Sequence, residues 1–330
     1  MLNVSYGPLF SDTLHDDMLG ALLFATARPA SAASPLLAHV HMARLDDQQS
    51  LLCETLRGES TMRDGQFGDM HYRFNDHLLF GVIALKDNDT AVEDNAASPL
   101  QAAAHAAYRQ IFSLLHAQGF PYVLRFWNYM AAINADTHGL ERYRQFNLGR
   151  QQAFADSGQA IAGNVPAACA LGAADGPLTI AFLAARSPSV AIENPRQISA
   201  YDYPEQYGPR SPLFSRASVA TLGTQRVLFL SGTASIVGHE TLHADDIAAQ
   251  TAESVANIAA VLAEARRKTG ASCQLADLDY IVYIRHAEHL QAVRNILHQQ
   301  IGPDIKAAFV QADICRADLL VEIEGSAILS

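Results

Sequence analysis

The chain has 330 residues, of which 49% are apolar and 17% charged, with a net charge of -11. That length accommodates roughly two ordinary domains with substantial cores, and the acidic balance with its scattered Lys and Arg argues against a nucleic-acid footprint. Salt screens the overall field beyond about 8 Å, so local arginines can still hold an anionic ligand.

In chain order, the N-terminal stretch MLNVSYGPLFSDTLHDD lacks a basic region followed by an apolar core, so no leader is expected. No run approaches the ~20 apolar residues of a membrane span, and the expectation is a cytoplasmic protein without membrane or nucleic-acid partners. His39 and His41 alternate in an expected strand and read as ordinary histidines. The apolar strand HLLFGVIAL leads into a helix over Pro99–Gln118 and then the strand PYVLRFWNYM; RVLFLSGTASIVG leads into a helix over Asp245–Lys268 and then LDYIVYIR. This is a repeated strand-helix-strand unit. The second copy continues through a helix at Glu288–Gln300 into IKAAFVQAD and LLVEIEGSAIL, while the first breaks off after Trp127.

Between the copies lie a polar helix over Leu140–Phe154 and the segment NPRQISAYDYPEQYGPRSPLFSRA. Its rings, prolines and guanidiniums are unlike a spacer, which favours Gly, Ser or charge; such a loop lines an anion pocket or plugs a domain interface. On the polar helix, Tyr143 and Arg150 stand two turns apart, so one face presents a phenol and a guanidinium, as a ligand wall or as part of a surface stripe. In LLVEIEG, Glu322 and Glu324 share one face of a strand; they form either a solvated face or a buried pair that must find partners or shift its pKa.

Other patterns are weaker. His239-Glu240-Thr241-Leu242-His243 satisfies H-E-x-x-H, with Glu264 as a further ligand, which would make a zinc hydrolase if both histidines shared a helix face. Gly238 just before the motif and Asp245-Asp246 just after it place the pattern across a loop and a helix start instead. Ser231 and Ser235 lack the G-x-S-x-G elbow. Cys53, Cys169, Cys273 and Cys315 form no C-x-x-C pair, so reduced thiols are expected.

The second half, from the SGT strand through ADDIAAQTAESVANIAAVL to VEIEGSA, resembles the RidA/YjgF family. IKAAFVQADIC lacks the arginine by which that family's imine deaminases bind a carboxylate. Across both halves, FWNYMAAIN, GLERYRQFNLGRQQAF, NPRQISAYDYPEQYGPRSPLFSRA, SGTASIVGHE and CRADLLVEIEG resemble the chorismatases, the FkbO-like family. The resemblance implies an α+β fold of two RidA-like (chorismate-mutase-like) halves, mixed sheets packed against helices: a degenerate half over 1–155 and a half over 156–330 that carries the catalytic strand. It implies release of pyruvate from chorismate without metal or organic cofactor. Carried over by position, it makes Glu322 the acid/base, with Tyr143, Arg150, Tyr203 and Arg216 holding substrate, and Arg285 and Arg210 as weaker additions.

Within the family, a cysteine seven residues before the glutamate, here Cys315, accompanies 3-hydroxybenzoate formation; a thiol there deprotonates or positions the ring, or is inert packing. The resemblance favours an aromatising enzyme of the type that gives 3- and 4-hydroxybenzoate for pigment and quinone (ubiquinone) pathways, over hydrolysis to a dihydroxycyclohexadiene carboxylate. A non-catalytic RidA-like binding protein is the alternative from another class. The assembly is expected to be a monomer or a homotrimer.

Overall fold

The computed structural model describes residues 2–7, 16–27, 34, 36–46, 52–58, 61–87 and 97–330. Among the described residues, three sheets of four to six strands build the molecule, with two small hairpins beside them. The N-terminal sheet contains β1 (Leu2–Gly7), β2 (Met18–Ala25), β3 (Leu37–His41) and β4 (Leu52–Gly58), in the order β1-β4-β2-β3. The first large sheet contains β5 (Arg63–Phe67), β6 (Met70–Phe74), β7 (Leu78–Leu85) and β8 (Tyr122–Ala131), completed by β11 (Ala167–Ala173) and β12 (Leu178–Ala185). A small hairpin of β9 (Asp136–Thr137) and β10 (Leu140–Glu141) follows β8 in the chain. The second large sheet holds β13 (Ser189–Ile192), β14 (Ala217–Leu222), β15 (Gln225–Thr233), β18 (Asp279–Ile284), β19 (Lys306–Gln311) and β20 (Val321–Leu329). A second small hairpin, β16 (Ile236–Val237) and β17 (Glu240–Thr241), follows β15.

The two large sheets have one topology. Their orders are β5-β6-β7-β12-β8-β11 and β13-β14-β15-β20-β18-β19, with a parallel pair at the same end of each, β8 with β11 and β18 with β19. The first copy therefore does not break off after Trp127. Its helix α1 (Pro99–Gln118) corresponds to α3 (Ile247–Thr269), and α2 (Arg142–Asp156) to α4 (Leu290–Gln300). The sheets change over between Ala185 and Ser189 instead of near residue 155, because β11 and β12 return to pair with β8 and β7.

Local chemistry sets the helix ends. The Ser98 side chain accepts the Gln101 N–H, Pro99 occupies the first turn, and Gly119 closes α1 at φ 70°. Asp246 caps α3 by accepting the Ala249 N–H, and Gly270 closes it at φ 72°. Asp245 sits outside the helix at φ 61°, so α3 begins two residues later than the acidic pair suggested.

The outer face of each large sheet is covered by its own helix pair. The inner faces of all three sheets share one central core, in which Phe24 and Val40 meet Phe80, Trp127, Phe229 and Ile281. Across the seam between halves, Ala167 bridges Ser215, Gly172 bridges Asp313, and the Ala168 N–H donates to Ser231 Oγ at 2.9 Å. Among the described residues no helix is long and apolar enough to cross a membrane. His41 of β3 pairs with Asp175.

Candidate active site

A cavity of about 510 Å³ opens at the seam between the halves. The first half contributes α2 and β11; the second contributes the 197–216 segment, β15 and the turn that enters β20.

Glu322 lines this cavity from β20 and is only 4% exposed. Gly232 of the SGT strand lies against it: a Cβ at that position would fall 1.9 Å from Glu322 Oε1, so a side chain there would displace the carboxyl. Burial pushes the Glu322 carboxyl up to about 8, helped by the neighbouring Glu324 and opposed by Arg125 and Arg216. A neutral carboxylic acid thus predominates at pH 7.

Glu324 shares the inner face of β20, as alternation requires, but does not line the cavity. It is fully buried, its Oε2 2.5 Å from Arg125 Nη2, and its Oε1 accepts from Tyr283 Oη at 2.6 Å. Tyr129 Oη lies 3.1 Å from Tyr283 Oη, and Arg125 also donates to Leu230 O. The solvated-face reading of the pair is therefore excluded; one carboxylate is tied across the seam and the other faces the cavity.

The polar helix is no surface stripe. Arg142, Tyr143, Gln145, Asn147 and Arg150 are buried, because α2 is covered on one side by α1 and borders the cavity on another. Gly149 allows that approach, since a Cβ there would meet Gln101 O at 2.1 Å. Arg142 is consumed structurally by Asp87 and Ala131 O. Tyr143 and Arg150 both line the cavity. Arg150 stacks on Phe146 at 5.0 Å and donates to Asn147 Oδ1 at 3.1 Å, while its Nε is buried without a hydrogen-bond partner among the described residues. Burial raises the Tyr143 phenol far above its ordinary range, which keeps it a neutral donor.

On the opposite wall, Arg216 donates to Ile198 O at 2.8 Å and to Tyr203 Oη at 2.9 Å, and its Nε is likewise buried and unpartnered. Cys315 lines the cavity, and burial, with Glu322 nearby, pushes its thiol up to about 12. It is therefore a neutral thiol near pH 7, which disfavours chemistry that needs a thiolate.

Two expected binding residues are elsewhere. Arg285 does not line the cavity; it pairs with Asp313 and donates to Ile314 O, Arg316 O and Leu319 O, bracing the turn that carries Cys315. Arg210 is exposed on the loop and also lies outside the lining. The H-E-x-x-H motif falls on the β16–β17 hairpin and its exit, before α3 begins, so His239 and His243 share no helix face. His239 contacts Tyr207 Oη at 3.1 Å, His243 faces Glu253, and Glu264 pairs with Arg267, so the proposed third ligand serves a surface ion pair.

Two arginines were missed by the sequence reading. Arg125 stands in the apolar run VLRFWNY, the same kind of signal that marked Glu322 and Glu324; Arg316 directly follows Cys315. Both lie where the halves meet, and neither partner set is near in sequence.

The profile described as "Chorismatase FkbO/Hyg5-like, N-terminal" matches residues 54–184. A chorismatase of Streptomyces rapamycinicus is 37% identical over 294 residues, 87% of this chain and 84% of that protein. A 3-hydroxybenzoate synthase of Streptomyces hygroscopicus is 42% identical over 233 residues, 68% of each. A chorismatase crystal structure superposes with a TM-score of 0.88 at 32% identity, covering 99% of this chain and 98% of that one. With this likeness along nearly its whole length, the chain is an enzyme of the chorismatase family.

Proposed function

We propose that this protein cleaves the enolpyruvyl ether of chorismate to pyruvate and a hydroxybenzoate in the cytoplasm, with Glu322 as general acid and base and no metal. The observation that carries the reading is a buried, neutral carboxylic acid at the wall of a cavity whose other polar residues are chiefly arginines and tyrosines. Chorismate has two carboxylates, and planar guanidiniums match carboxylates bidentately.

The chemistry follows from the groups present. Glu322 donates its proton to the methylene carbon of the vinyl ether, and the ether carbon becomes an oxocarbenium ion. The new carboxylate then takes a proton from water as that water adds to the cation, and the resulting hemiketal collapses to pyruvate and a dihydroxycyclohexadiene carboxylate. Loss of one water from this diene-diol gives 3-hydroxybenzoate, so the sum is chorismate to pyruvate plus hydroxybenzoate. Elimination of enolpyruvate with its ether oxygen, the proton on the hydroxyl-bearing ring carbon being removed and ending on the departing pyruvate, keeps the ring hydroxyl and gives 4-hydroxybenzoate instead. The 42% likeness to a protein named 3-hydroxybenzoate synthase supports the aromatising outcome, and Cys315, as a neutral thiol beside Glu322, holds the ring for it.

Arg216 pulls the acidity of Glu322 the wrong way for a proton donor. A bound dianion neutralises that pull, so substrate itself favours the reactive protonation state. The test is pyruvate release from chorismate, followed by coupling to lactate dehydrogenase in the presence of EDTA, with chromatography of the aromatic product. Undiminished release under chelation is expected. Absence of pyruvate would reduce the protein to a binding module, and loss on chelation would reinstate a metal.

A further inference from the structure

The cavity carries a further arginine, half-buried, that the chorismate reading has not yet used. Arg316 lines the wall formed by the second half. Its Nη1 donates to His239 O at 2.9 Å and to Thr241 Oγ1 at 3.3 Å, which ties it to the β16–β17 hairpin. Its guanidinium carbon lies 4.0 Å from the centroid of Tyr207 and 5.2 Å from that of Tyr203. The main chain beneath it is held by Arg285, which donates to Arg316 O. The side chain is thus fixed in place, yet Nη2 is buried with no hydrogen-bond partner among the described residues.

A buried cationic N–H is costly to leave unbonded, and a guanidinium tethered by one arm still presents its other edge to a planar acceptor. The neighbours sharpen this. Tyr203 receives a hydrogen bond from Arg216 on its hydroxyl and the stacked guanidinium of Arg316 on its ring, so the second-half wall is a two-arginine pole around one tyrosine. Arg150 stands on the first-half wall. Arg144 on the same wall is paired with Glu141 at 3.1 Å, which leaves Arg150 facing Arg216 and Arg316 across the cavity, an arrangement that suits a dianion that spans it.

We propose that Arg316 is a carboxylate-binding residue that, with Arg216, takes one end of a dicarboxylate ligand and makes the site select dianions over monoanions. The proposal rests on the chorismate reading for its choice of probe. The probe is 3-(carboxymethoxy)benzoate, which has a ring carboxylate and an ether-linked carboxylate; 3-methoxybenzoate and phenoxyacetate each lack one of the two.

Calorimetric titration of the full-length protein is expected to show that Arg316→Met weakens the dicarboxylate roughly ten- to a hundredfold, the range of a charge-assisted hydrogen-bond pair. One monoacid, the one bearing the carboxylate that Arg316 takes, weakens with it, and the other changes less than about twofold. Arg316→Lys restores part of the affinity as a point charge without the fork, and it reads the same contrast if the Met variant does not fold. Equal weakening of both monoacids would mean general loosening, and unchanged dicarboxylate affinity would mean no contact; either overturns the proposal, as does a wild-type protein that fails to bind the dicarboxylate. Wild-type protein that binds it but releases no pyruvate from chorismate overturns the proposed function and leaves Arg316 in place.

Discussion

β12 and β20 occupy the same place in two sheets of one topology, each flanked by antiparallel neighbours, and their chemistry is opposite. β12 turns Ala181 and Leu183 into the central core; β20 turns Glu322 and Glu324 toward it. The fold needs only the apolar version, as the first half shows. Two carboxyl groups in such a strand would each lose their hydration, and what compensates comes from the other half: Arg125 of β8 for Glu324, and the seam cavity for Glu322. The site belongs to neither copy alone, because α2 of one half and β20 of the other face a common space.

The contrast is broken most directly by neutralising the reactive strand. Glu322→Gln keeps the size of the side chain and removes the acid, and kcat is expected to fall by roughly 10²- to 10⁴-fold, with affinity for 3-(carboxymethoxy)benzoate nearly unchanged. Steady-state pyruvate release and titration together check it; full turnover in this variant would return Glu322 to the status of Leu183. Next in size is the tie across the seam. Arg125→Met leaves Glu324 buried without its cation, and loss of one partner of such a pair costs about 3–5 kcal/mol. Urea unfolding should show that loss, and the double variant Arg125→Met/Glu324→Leu, which makes β20 resemble β12, should recover part of it. No recovery would mean that the ion pair is not what reconciles β20 with the core.

How much of this could be read from the chain differs between the halves for physical reasons. α1 and α3 announce themselves through Ser98-Pro99, Asp246 and their closing glycines, and Glu322 through a two-residue alternation with Val321 and Ile323. Helix spacing pairs Tyr143 with Arg150, the long motifs add Tyr203 and Arg216, and the structure brings all four to one cavity. The strands β11 and β12, AACALGA and LTIAFLAA, were passed over because alanine-rich runs carry weak strand preference, and with them went the true end of the first half. Arg125 and Arg316 are ordinary local symbols whose meaning depends on which strands lie opposite; Arg125 finds Glu324 199 positions away. Arg285 misled for the converse reason, since its strand-end position is real but its donors are spent on the turn backbone.

The shifted acidity of Glu322 gives the contrast a pH signature. The carboxyl rises from 4.5 to about 8 on folding, so the unfolded chain releases this proton first. Stability from this group is full below pH 4.5 and declines as pH climbs toward 8, by on the order of a few kcal/mol in total. Glu193, pushed up to about 7 mainly by burial, slopes the same way, so the informative quantity is the difference between wild type and Glu322→Gln. Melts of both should agree best near pH 5 and separate toward pH 8, with a smaller slope in the variant. Turnover should fall above about pH 8 as the acid form is lost, and an activity that instead rises through this range would show that the carboxylate, not the acid, is the reactive form.

The smallest expected effect tests whether the carboxyl must sit where β15 leaves it room. Gly232→Ala places a methyl group 1.9 Å from Glu322 Oε1, a distance that no side chain tolerates, while Gly232 is not held in a left-handed conformation that only glycine favours. The backbone therefore accepts alanine and the strain falls on the glutamate, which must leave its rotamer or push the strand, at a cost of about 1–3 kcal/mol. If Glu322 moves toward the cavity, its burial is relieved, its acidity returns toward the ordinary carboxylate range, and the alkaline limb of the pH profile shifts to lower pH along with a reduced kcat. The corresponding experiment in the first half is Gly81→Ala on β7, where the added methyl would meet the Phe182 ring at 2.4 Å; that variant should lose comparable stability while keeping the wild-type pH limb. Identical pH limbs in wild type and Gly232→Ala, with only stability altered, would show that SGT spaces the strands without setting the acid.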